Sequence, residues 1–139
     1  MPTFIWDLAA GDAIYGFPAD GADGVKVGFH HRGGPADPDS PQPPGSPAEV
    51  AAMAEVLASR LPAAGRHLRS VGCLYELTPD HDSLLGLVPG CASRVVAAAG
   101  FSGHGFKFVP VVGEVVADLV TTGDSAFDLG FLSPARLLT

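Results

Sequence analysis

The 139-residue sequence predicts an α+β fold, mainly an antiparallel sheet with one capped helix and a closing strand–glycine turn–helix. Three observations carry the prediction. Strand-like segments at 3–8, 13–17 and 25–30 follow one another across turn-rich stretches. A capping box, Ser46-Pro47-Ala48-Glu49, opens an apolar stripe of helical spacing. A run of small aliphatic residues at 94–99 enters a glycine-rich turn, and an apolar-periodic segment follows it.

Taken in order, residues 3–8 read as a short strand, Gly11-Asp12 as a turn, and 13–17 as a second strand. Residues 18–24 are turn-rich. The next strand alternates, with Val25, Val27 and Phe29 on one face and Lys26, Gly28 and His30 on the other. His31 is expected to point away from His30. Residues 31–47 hold six prolines and three glycines and read as a loop. Ser46 is the expected N-cap, with Pro47 at the first helical position and Glu49 reaching back. The helix is expected to run to about Leu61, with Val50, Met53, Ala54, Leu57 and Leu61 as its stripe and Pro62 as its stop. Residues 71–78 are strand-like and contain Cys73 and Tyr75; 79–82 read as a turn and 83–88 as a strand. The uniformly small, apolar 94–99 predicts a buried strand. The last helix is expected from Val109 or Val112 to Val120, terminated by Gly123. Residues 127–139 read as an ordered extension without a regular element.

The length suits one domain or a piece of a larger one. A hydrophobic fraction of 47% permits a core, and a net charge of -7 argues against nucleic-acid binding. No apolar run approaches the roughly 20 residues of a membrane span, and residues 1–7 have no signal-peptide pattern. Two cysteines, Cys73 and Cys91, make no disulfide framework, so a reducing, cytoplasmic setting is expected.

The chemistry concentrates in Gly100-Phe101-Ser102-Gly103-His104-Gly105-Phe106-Lys107-Phe108. Gly103 and Gly105 let backbone approach a ligand. A helix start and Lys107 favour an electron-rich group. From the residues alone, the turn is either such a cradle or a tight strand-to-helix connection. Its G-x-x-G-x-G spacing is not the dinucleotide fingerprint. Lys26 and His30 share a strand face, either a polar pocket wall or a solvated surface. Tyr15 reads as a half-buried strand aromatic, and Cys73 as a buried, inert thiol. His30, His31, His81 and His104 lack metal-ligand spacing, and no metal is expected.

Five stretches carry a resemblance: IYGFP (14–18), VKVGFHHRG (25–33), DPD (37–39), CLYELTPD (73–80) and VVAAAGFSGHGFKFVPVVGEVVADL (95–119). In this order they resemble the C-terminal portion of the monomeric sarcosine oxidase and N-methyl-tryptophan oxidase family. These are flavin-dependent amine oxidases of D-amino-acid-oxidase-like fold. GFSGHGFKF followed by VGE is highly specific for the group.

The resemblance implies FAD as cofactor, with Cys73 bound covalently to it through a thioether. It implies that Lys26 stands where dioxygen is activated, and that Tyr15 and His30 line the amine pocket. Lys107 matches a lysine that helps bind the substrate carboxylate. Gly103, His104, Gly105, Phe106 and Lys107 match the turn at the flavin's pyrimidine edge, and Tyr75 is implied near the same pocket. The substrate implied is a small amino acid or amine, oxidised to an imine while O2 becomes H2O2.

The family's N-terminal strand–G-x-G-x-x-G–helix unit, which holds the ADP half of FAD, has no counterpart in the 139 residues. The implied division is therefore 1–92, the C-terminal part of the substrate domain, and 93–139, the strand, turn and helix that return to an absent FAD-binding domain. The chain is expected to be inactive without that domain. It is expected to be a poorly stable monomer, to self-associate, or to join a separate N-terminal FAD-binding chain, since 95–99 would otherwise expose an apolar face. The alternatives are a non-catalytic remnant that binds a partner or small carboxylate, and one subunit of a split oxidase.

Overall fold

The computed structural model describes residues 1–8, 11–92 and 95–138. They form two compact units, Met1–Leu74 and Tyr75–Thr139. The fold is α+β, with two small antiparallel sheets and two helices.

The first unit is built on a meander of β1 (Phe4–Asp7), β2 (Ala13–Phe17) and β3 (Lys26–His30). The register pairs Ile5 with Tyr15 and Tyr15 with Gly28. Paired residues share a face, so the alternation divides the sheet cleanly. Phe4, Trp6, Ile14, Gly16, Val27 and Phe29 make the apolar face, where Ile14 is fully buried. Phe4 and Trp6 stack at 4.0 Å between ring centroids, and the Phe4 ring lies over Gly16, where no side chain would fit. Ile5, Tyr15, Phe17, Lys26, Gly28 and His30 make the other face.

Helix α1 (Pro47–Arg60) carries the reciprocal cap. The Glu49 amide donates to Ser46 Oγ at 3.2 Å, and the Ser46 amide donates to Glu49 Oε2 at 2.7 Å. The Ser46 amide and then its hydroxyl hold the Glu49 carboxyl below the usual glutamate range. Val50, Met53 and Leu57 are half-buried but Ala54 is exposed, and Ala52 and Val56 are half-buried instead, so the covered face is turned away from Ala54. Ser46→Ala is expected to lower stability by about 1 kcal/mol, the ordinary cost of a lost N-cap, read as a shift in the urea midpoint. Glu49's folded pKa is depressed, so its share of the cap is present above the ordinary glutamate pKa. That share is lost as pH falls through the folded value.

The second unit pairs β4 (Leu84–Leu87) with β5 (Val96–Ala99), antiparallel, with Leu85 opposite Ala98. Helix α2 (Val109–Thr121) covers one face of this hairpin. Leu85, Val115 and Leu119 form the buried cluster, joined by Leu87, Val96 and Val112. Gly123, at φ +80°, closes the helix with its amide on the Leu119 carbonyl. The tail folds back through 3-10 turns at Gly130–Leu132 and Pro134–Leu137, and Pro134 packs on Gly86.

Four expectations are corrected. The strand at 94–99 is half-buried rather than buried, because β5 belongs to a two-stranded sheet and has a neighbour on one edge only: Ala98 is exposed although it pairs with buried Leu85, and Val95 is 45% exposed. Residue 94, its expected start, lies outside the described residues. Residues 71–78 form no ladder among the described residues. At Gly72 their neighbour is the Gln42–Pro43 stretch of the proline-rich loop, and proline has no N–H to donate to a ladder. The tail contains two 3-10 turns where no element was expected. His31 does not turn away from His30. Its φ of +55° breaks the alternation, and the two rings lie 4.0 Å apart.

Among the described residues only Ile14, Leu85, Val115, Leu119 and Pro134 are buried apolar side chains. Phe106, 92% exposed, with Phe108, Val109 and Val120, presents apolar surface to solvent. No helix among the described residues is long and apolar enough to cross a membrane.

Candidate functional site

The sequence-predicted residues fall into two groups, one in each unit. In the first unit, the β2–β3 register brings Tyr15, Lys26 and His30 onto one face. The Tyr15 ring crosses the strand over Gly28, where a Cβ would meet Cζ and the hydroxyl at 2.8 Å. Glycine is needed there for close approach rather than for its backbone angles. The ring therefore lies between the two basic residues. Lys26 Nζ sits 5.7 Å from the Tyr15 centroid and 5.6 Å from that of Phe17. His30 meets Tyr15 edge-on at 6.4 Å. The result is an ammonium group held against aromatic faces, with an imidazole at the far end of the strand.

Cys73 is an exposed free thiol, which corrects the residue-based expectation of a buried, inert one. The stretch 66–74 that carries it is mostly exposed and meets the β2–β3 connection through two side chains. Arg69 Nη2 lies 3.4 Å from Asp23 Oδ1, and Leu68 Cδ1 lies 3.2 Å from the Cβ position of Gly24. This anchors the thiol-bearing segment beside the turn that opens β3, the strand of Lys26. Sequence reasoning missed Arg69 and Asp23, whose pairing spans 46 residues.

In the second unit, the turn at 100–108 takes left-handed backbone at Gly100 (φ +68°), Ser102 (+53°) and Gly103 (+79°). A 3-10 turn, Gly105–Phe108, then runs into α2. The Tyr75 ring lies directly against Gly103, and the Phe101 side chain against Gly105. Glu76 was also missed by sequence reasoning. Its Oε2 accepts the Gly100 amide at 2.9 Å, and its carbonyl accepts the Ser102 amide at 3.2 Å. An acidic residue beside Tyr75 in a stretch of strand-like alternation was the available signal. Lys107 Nζ lies 5.0 Å from the Phe108 ring centroid, and Phe106, Lys107 and Phe108 are all exposed. The turn thus offers an exposed cation and aromatic surface on a backbone fixed by Glu76 and Tyr75.

Gly103→Ala puts a Cβ both in left-handed backbone and into the Tyr75 ring. The backbone alone is expected to cost about 1–2 kcal/mol. Gly113, inside α2 with nothing within 4 Å of its Cβ position, is the control. Gly113→Ala is expected to raise stability by about 0.5–1 kcal/mol. Urea unfolding of both variants checks the opposite signs.

No group of three or more His, Cys, Asp or Glu residues is set to hold a metal among the described residues.

The profile of the family described as FAD dependent oxidoreductase matches residues 1–119. The monomeric sarcosine oxidase of Streptomyces avermitilis is 43% identical over 139 residues, covering 98% of this chain and 36% of that protein. The monomeric sarcosine oxidase of Bacillus sp. is 39% identical over 138 residues, 97% of this chain and 35% of the relative. The N-methyl-L-tryptophan oxidase of Salmonella agona is 38% identical over 139 residues, 99% of this chain and 36% of the relative. The chain thus spans about 36% of the length of the relatives it matches.

Proposed function

We propose, from the premise that this chain belongs to the FAD dependent oxidoreductase family, that it is the C-terminal, flavin-linking part of a sarcosine-oxidase-like amine oxidase. The observation that carries this reading is the anchoring of the Cys73 segment, through Leu68 and Arg69, to the turn that opens the Lys26 strand. An exposed thiol and an ammonium group on an aromatic face then belong to one compact unit.

FAD, when bound, would supply the two-electron chemistry that converts a secondary amino acid to an imine and O2 to H2O2. The donor set fits such a group. Cys73 offers a thiol free of any disulfide and open to solvent, as a thioether needs. Lys26 keeps a positive charge where oxygen becomes negative, and a preorganised cation needs no solvent reorganisation to do this. Tyr15 and His30, beside it on the same face, line the amine pocket. The turn at Gly103, His104, Gly105, Phe106 and Lys107 would hold the flavin's pyrimidine edge, offering it backbone and a cation. Lys107 would also bind the substrate carboxylate, and Tyr75 packs on Gly103 of that turn.

The activity needs a dinucleotide-binding unit beside these residues, whether continuous with them in one polypeptide or separate. In that assembly, residues 1–92 serve the substrate domain and 93–139 the flavin domain. The exposed Val95, Phe106, Phe108 and Val109 support either such a partner or self-association.

Co-expression with the N-terminal region of a sarcosine oxidase tests the reading. A yellow complex that forms peroxide from an N-methyl amino acid is expected. A stable complex with neither flavin nor peroxide formation would overturn it.

A further inference from the structure

The C-terminal tail returns to the loop ahead of β4 through one side chain. Arg136 donates from Nε to Asp80 Oδ2 at 2.7 Å and from Nη2 to Asp80 Oδ1 at 3.1 Å. Nη2 also donates to the Asp82 carbonyl at 2.5 Å. This is a two-pronged guanidinium–carboxylate pair, the geometry that adds direction to charge. It joins positions 56 residues apart, and the Arg136 side chain is 18% exposed.

The loop it grips leads to the glycine turn. The Asp82 carbonyl also accepts the Thr78 hydroxyl at 2.8 Å. Thr78 is buried, and its methyl group packs against Gly100. The Ser102 hydroxyl donates to the Gly100 carbonyl at 3.1 Å and reaches the His81 carbonyl at 3.4 Å. Ser102 is 1% exposed, and its φ of +53° is one that L-residues hold only when their surroundings impose it. His81, at φ +63°, is a second such residue on the gripping loop. Two left-handed non-glycine residues therefore face each other across the contact that Arg136 braces.

We propose that Arg136 is a positioning residue for the glycine turn: through Asp80, the Asp82 carbonyl and Thr78 it holds Gly100 and Ser102 in their left-handed conformation. Its bearing on catalysis rests on the flavin-facing reading of that turn, whereas the coupling itself needs no flavin. The tail is thereby part of the device that shapes the site, although none of its residues lies in the turn.

Residue-resolved amide hydrogen exchange on the full 139-residue chain tests this. Arg136→Gln is expected to speed exchange at Gly100 and Ser102 about tenfold, with Val115 and Leu119 changing less than about twofold. Arg136→Lys, which keeps the charge and loses the fork, is expected to fall between. Asp80→Asn should reproduce Arg136→Gln, and the double variant should be no worse than either single one. A rise spread evenly through α2 would make Arg136 a general tether and overturn the proposal. So would unchanged exchange at Gly100 and Ser102, or coil-rate exchange there in the unsubstituted chain. Failure here leaves the flavin reading intact, and a chain that passes yet forms a stable, flavin-free complex on co-expression with the N-terminal region sinks that reading alone.

Discussion

Cys73→Ser is expected to abolish covalent flavin in the assembled oxidase while leaving the fold in place. Cys73 is solvent-exposed, and nothing in the buried clusters depends on it, so serine is tolerated structurally. A serine hydroxyl does not replace the thiolate as a nucleophile at neutral pH, because its pKa is far higher. After acid precipitation of the protein, flavin absorbance should pass wholly to the supernatant for the variant and stay in the pellet for the unsubstituted chain. Cys91→Ser serves as the control and should retain the flavin. Covalent flavin surviving in Cys73→Ser would remove the assigned linkage.

Lys26→Met is expected to slow reoxidation of the reduced enzyme by oxygen about 10²–10³-fold, the range for loss of one preorganised electrostatic partner. Reduction by substrate should change by no more than a few fold. Methionine keeps the length of the side chain and its contact with the Tyr15 and Phe17 rings, which Lys26 Nζ approaches at 5.7 and 5.6 Å. Lys26 is exposed at the start of β3, so the sheet register does not depend on it. Stopped-flow measurement of the two half-reactions separates the effects. An equal fall in both rates would reassign Lys26 to substrate binding or to structure.

Much of this architecture was legible in the sequence because its signals are local. The alternation at 26–30 sets the faces of β3 directly, and Tyr15 joins Lys26 and His30 once β2 pairs in register. Ser46, Pro47 and Glu49 mark one end of α1, and Pro62 follows closely on the other. Gly123 marks the end of α2. What was hidden depends on partners distant in sequence. Residues 71–78 have strand composition, but a ladder needs a donor-bearing neighbour, and Gly72 meets Gln42 and Pro43 instead. The strand at 96–99 is apolar throughout, yet it has a strand neighbour on one edge only, and Ala98 stays exposed opposite buried Leu85. His31 could not be placed, because alternation gives no warning of a positive φ at a non-glycine residue.

The candidate site followed the same division. The turn and the Lys26 face were visible as motifs. Glu76, which binds two amides of the turn, and Arg136, 56 residues from its carboxylate, were not. Both act by closing contacts between segments, and neither carries a spacing that announces it. Cys73 was misjudged from residue type alone, since cysteines are usually buried and here the supporting segment runs along the surface.

The most direct test of the flavin-linking account is peptide mapping of the assembled, unsubstituted oxidase. Cleavage after Arg69 and Arg94 releases a peptide that contains both Cys73 and Cys91, and fragmentation within it locates any adduct. The account predicts FAD on Cys73 and an unmodified Cys91. FAD on Cys91, or an active enzyme whose 70–94 peptide carries no flavin, would contradict it.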